Sequence, residues 1–377
     1  MDKKISVFLR TFGCQMNIRD SEVISGLLIR EGFRIADDPA QADIVLFNTC
    51  SVRQHAEDKV WSEAGRVSGF PKRPVIGIVG CMAQNYKEKI FERSPSVDFA
   101  VGPSDIHKIP RIIQSLSAGS PFERKIWETD GEIRPEQIYH TGFYEDKAHA
   151  YVVISEGCSN FCSYCVVPYV RGALRNRSYK DILKEIEGAI SAGITSITLL
   201  GQNVNSYRDG DMDFSGLIGR VNLIKGLKEF SFITSHPRDT GRALFEAMAK
   251  AEKLKKYLHL PAQSGSDRVL GMMNRGYNRN FYLDLADNYR RIVKRGALTT
   301  DIIVGFPTET EEDFQDTRGL VLEVEFDSAY IFKYSPRPHT GAASLPDDVK
   351  REEKERRHKV ILDIQKDISR KKKCLKL

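Results

Sequence analysis

Long apolar segments are missing from this chain of 377 residues. No run approaches the roughly 20 residues that a membrane-spanning helix needs, and the apolar run over residues 5–9 is too short for a signal peptide. Short-period repeats and low-complexity tracts are also absent. We therefore expect a cytoplasmic protein of the ordinary globular class, and its length suggests two or three domains.

The cysteines do not form a set typical of disulfide-bonded proteins. There are seven of them, an odd number, and disulfides are rare in the cytoplasm. Cys374 lies in a lysine-rich tail and is expected to be an incidental thiol. The other six fall into a tight group of three and a widely spaced group of three.

The tight group has the spacing of metal ligands. Cys158, Cys162 and Cys165 are arranged as C-x3-C-x2-C, directly after the apolar run 151–154. Soft thiolates this closely spaced can all face one iron–sulfur cluster. No fourth Cys or His lies in the loop, and the next one along the chain is His236, so one iron would keep an open position for a substrate-like molecule. The alternatives are three reduced, buried cysteines or a partial zinc knuckle.

The widely spaced group follows a pattern of strands. Residues 1–118 alternate strand-like and helical segments, with the first helix expected over residues 20–31, which predicts an open parallel α/β domain. Cys14, Cys50 and Cys81 each follow one of the first three predicted strands, over residues 5–10, 43–47 and 75–79. Because the carboxyl ends of parallel strands share one edge of a sheet, we expect these cysteines to converge on a second iron–sulfur cluster. The alternative is three unrelated small core residues.

The second half of the chain predicts a partial (β/α)6 barrel of the TIM type. After a turn-rich linker over residues 119–147, six strands are expected at 151–154, 196–200, 230–234, 257–260, 298–304 and 329–333. Chemistry in such barrels lies at the carboxyl ends of the strands. Polar side chains follow the second, third and fourth strands, and either cofactor contact or a local capping role would explain them: Gln202, Asn203, Ser235, His236 and Gln263.

Positive charge is concentrated at the end of the chain. The net charge is +6, and residues 350–377 contain twelve Lys or Arg against five Asp or Glu. The same segment has the apolar spacing of one helix. Such a block is either a solvated helix face or a contact for an RNA backbone.

Six motifs together resemble the radical SAM (S-adenosylmethionine) methylthiotransferases. They are TFGCQMN at 11–17, NTCSVR at 48–53, GCMAQ at 80–84, EGCSNFCSYCVVPYVRG at 156–172, LLGQNVNSY at 199–207 and LHLPAQSGS at 258–266. The last two are most similar to the branch that modifies prenylated adenosine in tRNA. The resemblance covers nearly the whole chain.

This resemblance implies a reaction, two 4Fe–4S clusters and a domain plan. Cys158, Cys162 and Cys165 would ligate a cluster that reduces SAM to methionine and a 5′-deoxyadenosyl radical. The radical would remove hydrogen from C2 of N6-dimethylallyladenosine next to the tRNA anticodon. A second cluster on Cys14, Cys50 and Cys81 would deliver sulfur already methylated by another SAM.

The expected partners are tRNA and an electron donor such as flavodoxin or ferredoxin, and the expected state is a monomer. The expected domains are a methylthiotransferase domain over 1–118, the 119–147 linker, a radical SAM core over 148–345 and a basic helix over 346–377. The small β-barrel called TRAM, which usually follows in the family, is expected to be absent.

Three other functions remain open from the sequence. Two are sibling activities, namely methylthiolation of threonylcarbamoyl-adenosine in tRNA and of a ribosomal-protein aspartate. The third belongs to another class, a non-catalytic iron–sulfur or RNA-binding protein. All six cluster cysteines are present, which a pure binding module would not need.

Overall fold

The computed structural model describes residues 4–51, 54–117, 125–131 and 133–374. The chain divides into two compact units. Unit 1 comprises Met1–Gly157 and Val167–Thr195, and unit 2 comprises Cys158–Val166 and Ser196–Leu377. The domain boundaries expected at residues 118, 148 and 346 stay a prediction. Cys374 lies on a described stretch of backbone, but its side chain is outside the described part of the chain.

Unit 1 alternates strands and helices. Its strands are β1 (Ser6–Phe12), β2 (Arg34–Ile35), β3 (Ile44–Thr49), β4 (Val75–Gly80), β5 (Phe99–Val101), β6 (Ile126–Glu128), β7 (His149–Val153), β8 (Ser155–Glu156) and β9 (Arg175–Asn176). Its α-helices are α1 (Gln15–Arg30), α2 (Gln54–Ser68), α3 (Cys81–Tyr86), α4 (Lys89–Arg93), α5 (Ile109–Ser117), α6 (Val167–Arg171) and α7 (Tyr179–Ser191). Short 3₁₀ turns occupy Pro39–Gln41, Pro103–Lys108 and Glu136–His140.

A six-stranded parallel sheet forms the centre of unit 1, in the order β2-β1-β3-β4-β5-β6. Every residue of β3 is buried, as expected for a parallel strand covered on both faces. Apolar side chains from β3 and β4, including Val45, Phe47, Ile76 and Ile78, form one core with those of the flanking helices. The edge strand β6 lies within the segment predicted as a linker, where three residues are too few to show a strand period.

Helix α1 begins earlier than the sequence pattern indicates. The prediction places its start at residue 20, whereas the helix begins at Gln15. Asn17 accepts a hydrogen bond from the backbone N–H of Cys14 (3.3 Å) and satisfies one donor at the start of the helix. The first turns bury polar side chains, including Asn17 and Arg19, so the usual apolar stripe is missing there.

Unit 2 repeats the same alternation. Its strands are β10 (Ser196–Leu200), β11 (Arg208–Asp209), β12 (Met212–Asp213), β13 (Glu229–Ile233), β14 (Tyr257–His259), β15 (Ala297–Val304) and β16 (Ser328–Lys333). Its α-helices are α8 (Phe214–Asn222), α9 (Arg242–Lys250), α10 (Asp267–Met272), α11 (Arg279–Ile292), α12 (Glu311–Val324) and α13 (Arg351–Cys374). Short 3₁₀ turns occupy Val204–Ser206, Pro237–Asp239 and Gly341–Ser344.

The strands of unit 2 that position polar side chains are parallel. Strand β10 pairs with β13, and β15 lies between β14 and β16. The intervening helices begin with side-chain caps, for example Ser266 before α10 and Thr310 before α12. Among the described residues, none of the helices combines the length and the apolar composition that crossing a membrane requires.

Candidate functional site

The three widely spaced cysteines lie at one edge of the unit 1 sheet. Cys14 follows β1, Cys50 follows β3, and Cys81 is the first residue after β4. The sheet order places these three strands side by side. A hydrogen bond with Cys50 lowers the pKa of Cys14 to about 6, while burial and the charge on Cys14 raise the pKa of Cys81. The topology therefore gathers residues that are 36 and 31 positions apart in the chain.

An asparagine pair fixes the backbone around these cysteines. Asn17 donates to Asn48 Oδ1 (3.0 Å), and Asn48 donates back to the carbonyl of Asn17 (2.8 Å). Both side chains are fully buried. A Cβ on Gly80 would stand 2.6 Å from Asn48 Oδ1, and Gly80 also has a φ of +91°. Glycine is thus required at position 80 by the close contact with the amide and by the positive φ.

A buried arginine contacts Cys81. Arg171, at the end of α6, donates from Nε to Cys81 Sγ (3.3 Å) and from Nη2 to Asp20 (2.9 Å). Asp20 also accepts from Arg134 (2.8 Å). Arg171 lies six residues after Cys165, inside the 156–172 motif. That position is the only hint of a functional role in the sequence, which does not reveal that Arg171 contacts Cys81.

The tight cysteine group lies on a loop held by its own unit. Ser163 N donates to the carbonyl of Met273 (3.0 Å), and Ala342 N donates to the carbonyl of Ser163 (2.7 Å). Cys162 is buried, whereas Cys158 and Cys165 are half-buried. These bonds hold the loop against the residues that follow α10 and against the Gly341–Ser344 turn.

His236 and Arg275 both approach Cys162. Nε2 of His236 lies 3.8 Å from Cys162 Sγ, and Nη1 of Arg275 lies 3.3 Å from it. Nδ1 of His236 accepts a hydrogen bond from Arg238 N (3.2 Å), which assigns the remaining ring proton to Nε2. Burial lowers the pKa of His236 to about 2, so the ring is neutral. The imidazole thus faces Cys162 as a donor rather than as a fourth metal ligand.

Neither cysteine group is compact enough to chelate a single ion. Within the described ranges, no three Cys, His, Asp or Glu side chains come together in the way one metal ion requires. This geometry disfavours a zinc knuckle. Ligands of a 4Fe–4S cubane bind different iron atoms, so they need not meet at one point. The donor chemistry of three cysteines suits such a cluster at both positions.

Three of the predicted cofactor contacts carry buried polar atoms without a hydrogen-bond partner within the described structure: Asn203 Oδ1, Ser235 Oγ and Gln263 Oε1. They follow β10, β13 and β14. Unsatisfied buried polar atoms are uncommon in proteins, and at the ends of neighbouring strands a bound ligand is one explanation for them. Gln263 also has a φ of +71°, an uncommon conformation for a residue other than glycine. The remaining candidate, Gln202, is half-buried.

Comparison with known proteins decides the family. Residues 6–102 match the uncharacterized protein family UPF0004, and residues 152–321 match the radical SAM superfamily. The chain is 42% identical over 370 residues to the tRNA-2-methylthio-N(6)-dimethylallyladenosine synthase of Geobacter sulfurreducens, covering 97% of this chain and 82% of that protein. It is 44% identical over 363 residues to the synthase of Clostridium perfringens, covering 93% and 80%. This chain belongs to the tRNA-2-methylthio-N(6)-dimethylallyladenosine synthase family.

Solved structures of radical SAM enzymes share the fold of this member of the synthase family. The radical SAM methyltransferase TsrM from Kitasatospora setae, solved with cobalamin and a [4Fe-4S] cluster, has a TM-score of 0.64 and 13% identity, covering 90% of this chain and 77% of that one. The cobalamin-dependent radical SAM enzyme OxsB has a TM-score of 0.57 and 12% identity, covering 98% and 56%. The predicted α/β fold class, with an N-terminal parallel sheet and a radical SAM domain, is confirmed.

The sequence analysis of this synthase family member did not single out Tyr334, a further polar residue at the end of a strand. Tyr334 follows β16, and its buried hydroxyl has no hydrogen-bond partner within the described structure. Its ring packs edge-on against Phe306, with ring centroids 5.3 Å apart. Tyr334 also belongs to an apolar cluster, as many core tyrosines do. The sequence alone therefore cannot distinguish a tyrosine that only packs in the core from one whose hydroxyl contacts a ligand.

Proposed function

We propose that this protein is a radical SAM methylthiotransferase that adds a methylthio group to C2 of N6-dimethylallyladenosine next to the anticodon of tRNA. One observation supports it above all: two separate groups of cysteines, one in each unit. They occur in a chain 42–44% identical to synthases named for this reaction. The C2–H bond of adenine offers no useful acid or base handle, so a cofactor must supply the difficult chemistry.

The two cysteine groups would hold separate 4Fe–4S clusters. Cys158, Cys162 and Cys165 would bind the one that works with SAM, and Cys14, Cys50 and Cys81 the one that works with sulfur. When bound, the first cluster would supply the electron that splits SAM, SAM would supply the radical that removes the C2 hydrogen, and the second cluster would supply the methylated sulfur that replaces it. The chain's own residues bind these groups, orient the substrates and exclude water.

The orphaned polar atoms of unit 2 would bind SAM. Asn203 Oδ1 and Gln263 Oε1 are carbonyl acceptors, which suit an ammonium group or ribose hydroxyls, and Ser235 Oγ can donate or accept. A buried acceptor that gains a bond to a charged group stabilises the complex by about 2 kcal/mol. His236 has both ring nitrogens engaged within the protein. We therefore assign it to orienting Cys162 rather than to SAM.

The proposal includes further partners. An electron donor of the flavodoxin or ferredoxin type would reduce the SAM-binding cluster, and the enzyme would act as a cytoplasmic monomer.

The tRNA backbone would contact the positive charge on α13. Several cations of this helix are paired already, as in Arg356–Glu353 (2.7 Å), Arg357–Glu309 (2.9 Å) and Lys359–Asp363 (2.6 Å). Exposed Lys371 has no ion pair with a described carboxylate.

Reconstitution tests this function. The protein is loaded with iron and sulfide without oxygen, then supplied with SAM, reductant and tRNA that carries N6-dimethylallyladenosine. Mass spectrometry of the digested nucleosides should show the 2-methylthio product, together with 5′-deoxyadenosine and methionine. The Cys162→Ala variant is the matched control. Iron-loaded protein that cleaves no SAM would favour the non-catalytic alternative.

Substrate choice distinguishes the sibling activities. Parallel reactions contain tRNA with threonylcarbamoyl-adenosine, tRNA with unmodified adenosine, or the ribosomal protein that carries the target aspartate. We expect product with the dimethylallyl substrate alone. Methylthiolation of one of the other substrates at a higher rate would assign the chain to that sibling activity instead.

A further inference from the structure

Each cysteine group has one buried arginine directed at a ligand sulfur. Arg275 contacts Cys162 in unit 2, and Arg171 contacts Cys81 in unit 1, both at 3.3 Å. The two arginine residues, Arg275 and Arg171, are 3% and 4% exposed. A buried cation needs an anion close by, because the cost of removing it from water is otherwise not offset.

Arg275 is surrounded by a cysteine, two tyrosine hydroxyls and a backbone carbonyl. Its guanidinium donates to Cys162 Sγ and Tyr164 Oη (both 3.3 Å), to the carbonyl of Pro261 (2.7 Å) and to Tyr277 Oη (3.0 Å). No Asp or Glu of the described chain forms an ion pair with it, although carboxylates are the usual partners of buried arginines. Cys162 Sγ is therefore the group beside this guanidinium that would become anionic on binding a cluster.

Arg171 belongs to a group with one cation too many. Arg171 and Arg134 share Asp20, and Arg134 and Arg175 share Glu156. Three guanidiniums thus share two carboxylates in this group. Arg171 belongs to this positively charged group, and its Nε donates a hydrogen bond to Cys81 Sγ.

We propose that Arg275 and Arg171 are positioning residues that supply the counter-charge of the two clusters. The inference rests on the proposed function, since it takes the two cysteine groups as cluster ligands. An oxidised 4Fe–4S cubane held by three thiolates carries one net negative charge, which one guanidinium balances. Reduction adds one electron from the reductant and breaks no bond. A nearby cation and hydrogen bonds to the sulfurs favour that step, because they stabilise the more negative state.

Charge and bond geometry can be separated by substitution. Arg→Met removes both the charge and the donors, whereas Arg→Lys keeps the charge as a point and loses the planar fork. Arg→Gln serves as a second neutral variant at either position if the protein with Met does not fold. Exposed arginines paired with exposed or half-exposed carboxylates are the matched controls: Arg242→Met for unit 2 and Arg66→Met for unit 1.

The experiment measures the one-electron midpoint potential of each cluster separately. Full-length protein with Cys14, Cys50 and Cys81 changed to Ala holds the unit 2 cluster alone. Full-length protein with Cys158, Cys162 and Cys165 changed to Ala holds the unit 1 cluster alone. Each arginine variant is placed in both backgrounds, loaded with iron and sulfide, and titrated with dithionite while the reduced cluster is followed by electron paramagnetic resonance. Iron content and thermal unfolding are recorded for every sample.

We expect a reciprocal pattern. Arg275→Met should make the unit 2 cluster at least tenfold harder to reduce, a potential lower by about 59 mV for a one-electron couple, and leave the unit 1 cluster unchanged. Arg171→Met should do the converse. The Lys variants should stay within a threefold change, and the two control variants should not differ from the parent. Loss of iron in the Met variant but not in the Lys variant would also support the inference.

Other outcomes would overturn it. A loaded Met or Gln variant with the parent potential would show that the charge does not act on the cluster. Equal iron loss in folded Met and Lys variants would do the same, since Lys keeps the charge. A changed Kd for SAM at an unchanged potential would make Arg275 a SAM contact. Failure of the proposed function would appear separately, as absent methylthiolation of tRNA by the parent protein.

Discussion

Cys162 has the most restricted surroundings of the cysteines in its loop. It is buried, and it is approached by two donors from distant parts of unit 2, Arg275 and His236. Cluster potential depends on hydrogen bonds to the sulfurs and on solvent exposure. Of the three cysteines in the loop, Cys162 is therefore the one whose surroundings would act on the proposed cluster through both burial and two donors.

Replacing Cys162 tests the tight group. Cys162→Ala should give a folded protein that holds the unit 1 cluster and does not form 5′-deoxyadenosine, because two thiolates do not hold a cubane firmly. The measurement is chromatographic detection of 5′-deoxyadenosine with dithionite as reductant. Production near the parent level would remove Cys162 from the ligand set.

Replacing Cys50 tests the widely spaced group. Cys50→Ala should still cleave SAM but transfer no sulfur to tRNA, and its iron content should fall by about half if each group holds its own 4Fe–4S cluster. Iron analysis and nucleoside mass spectrometry measure the two effects. Normal formation of the methylthiolated nucleoside would contradict the sulfur-donor role.

The sequence identifies the two cysteine groups but not the buried arginines that contact them. Cys158, Cys162 and Cys165 are recognisable because local spacing brings them together, and Cys14, Cys50 and Cys81 because each ends a strand. Arg275 lies 113 residues from the cysteine it contacts. No local pattern distinguishes a buried arginine from the many exposed ones, so this contact required the folded structure.

At the scale of elements, the start of α12 joins two helices through one carboxylate. Asp313 accepts hydrogen bonds from Thr310 (2.8 Å) and from Ser266, the cap of α10 (2.6 Å), and it pairs with Arg268. Burial alone would raise the pKa of Asp313, but hydrogen bonds from Arg268 and Ser266 lower it below its ordinary value.

This carboxylate predicts a pH-dependent contribution to stability. A lowered pKa means that the stabilisation is present above the unfolded-state value of about 3.9 and is lost as the pH falls through the folded value. Asp313→Asn should cost about 2 kcal/mol at neutral pH. The difference from the parent should shrink as the pH drops from about 5 toward 3. Urea unfolding of both proteins across this range measures it, and a difference independent of pH would contradict the ionic role.

Element boundaries show where pattern reading works. Strand β10 occupies residues 196–200 as predicted, because its apolar run is bounded by turn residues. Helix α1 was predicted to start too late, because its first turns bury paired polar groups such as Arg19 and Glu22. A hydrophobic pattern predicts that every polar residue is exposed, even where an ion pair allows that residue to be buried.

For the whole molecule, the positive charge of α13 is the proposed contact for nucleic acid. If phosphates contact this helix, log Kd for tRNA should rise linearly with log salt concentration. Neutralising Arg370, Lys371, Lys372 and Lys373 together should make the slope shallower and leave SAM cleavage without tRNA unchanged. Filter-binding titrations at several salt concentrations measure both slopes.

The competing account of this tail is structural. Lys372 lies 3.8 Å from Asp327 and Arg370 lies 3.5 Å from Asp367, and cations near the end of a helix stabilise it through the helix dipole. On this account the fourfold variant unfolds at a slightly lower temperature and binds tRNA with the parent slope. An unchanged slope would therefore return the tail to a structural role.

Loading of the two proposed clusters would also change how the protein behaves in an electric field. Binding of each cluster converts three thiols into ligands of a group with one net negative charge, so full loading lowers the formal charge of +6 by about two. Empty, half-loaded and fully loaded molecules therefore differ in isoelectric point. Anaerobic ion-exchange chromatography should resolve them as three peaks, and the Cys50→Ala protein should lack the fully loaded one.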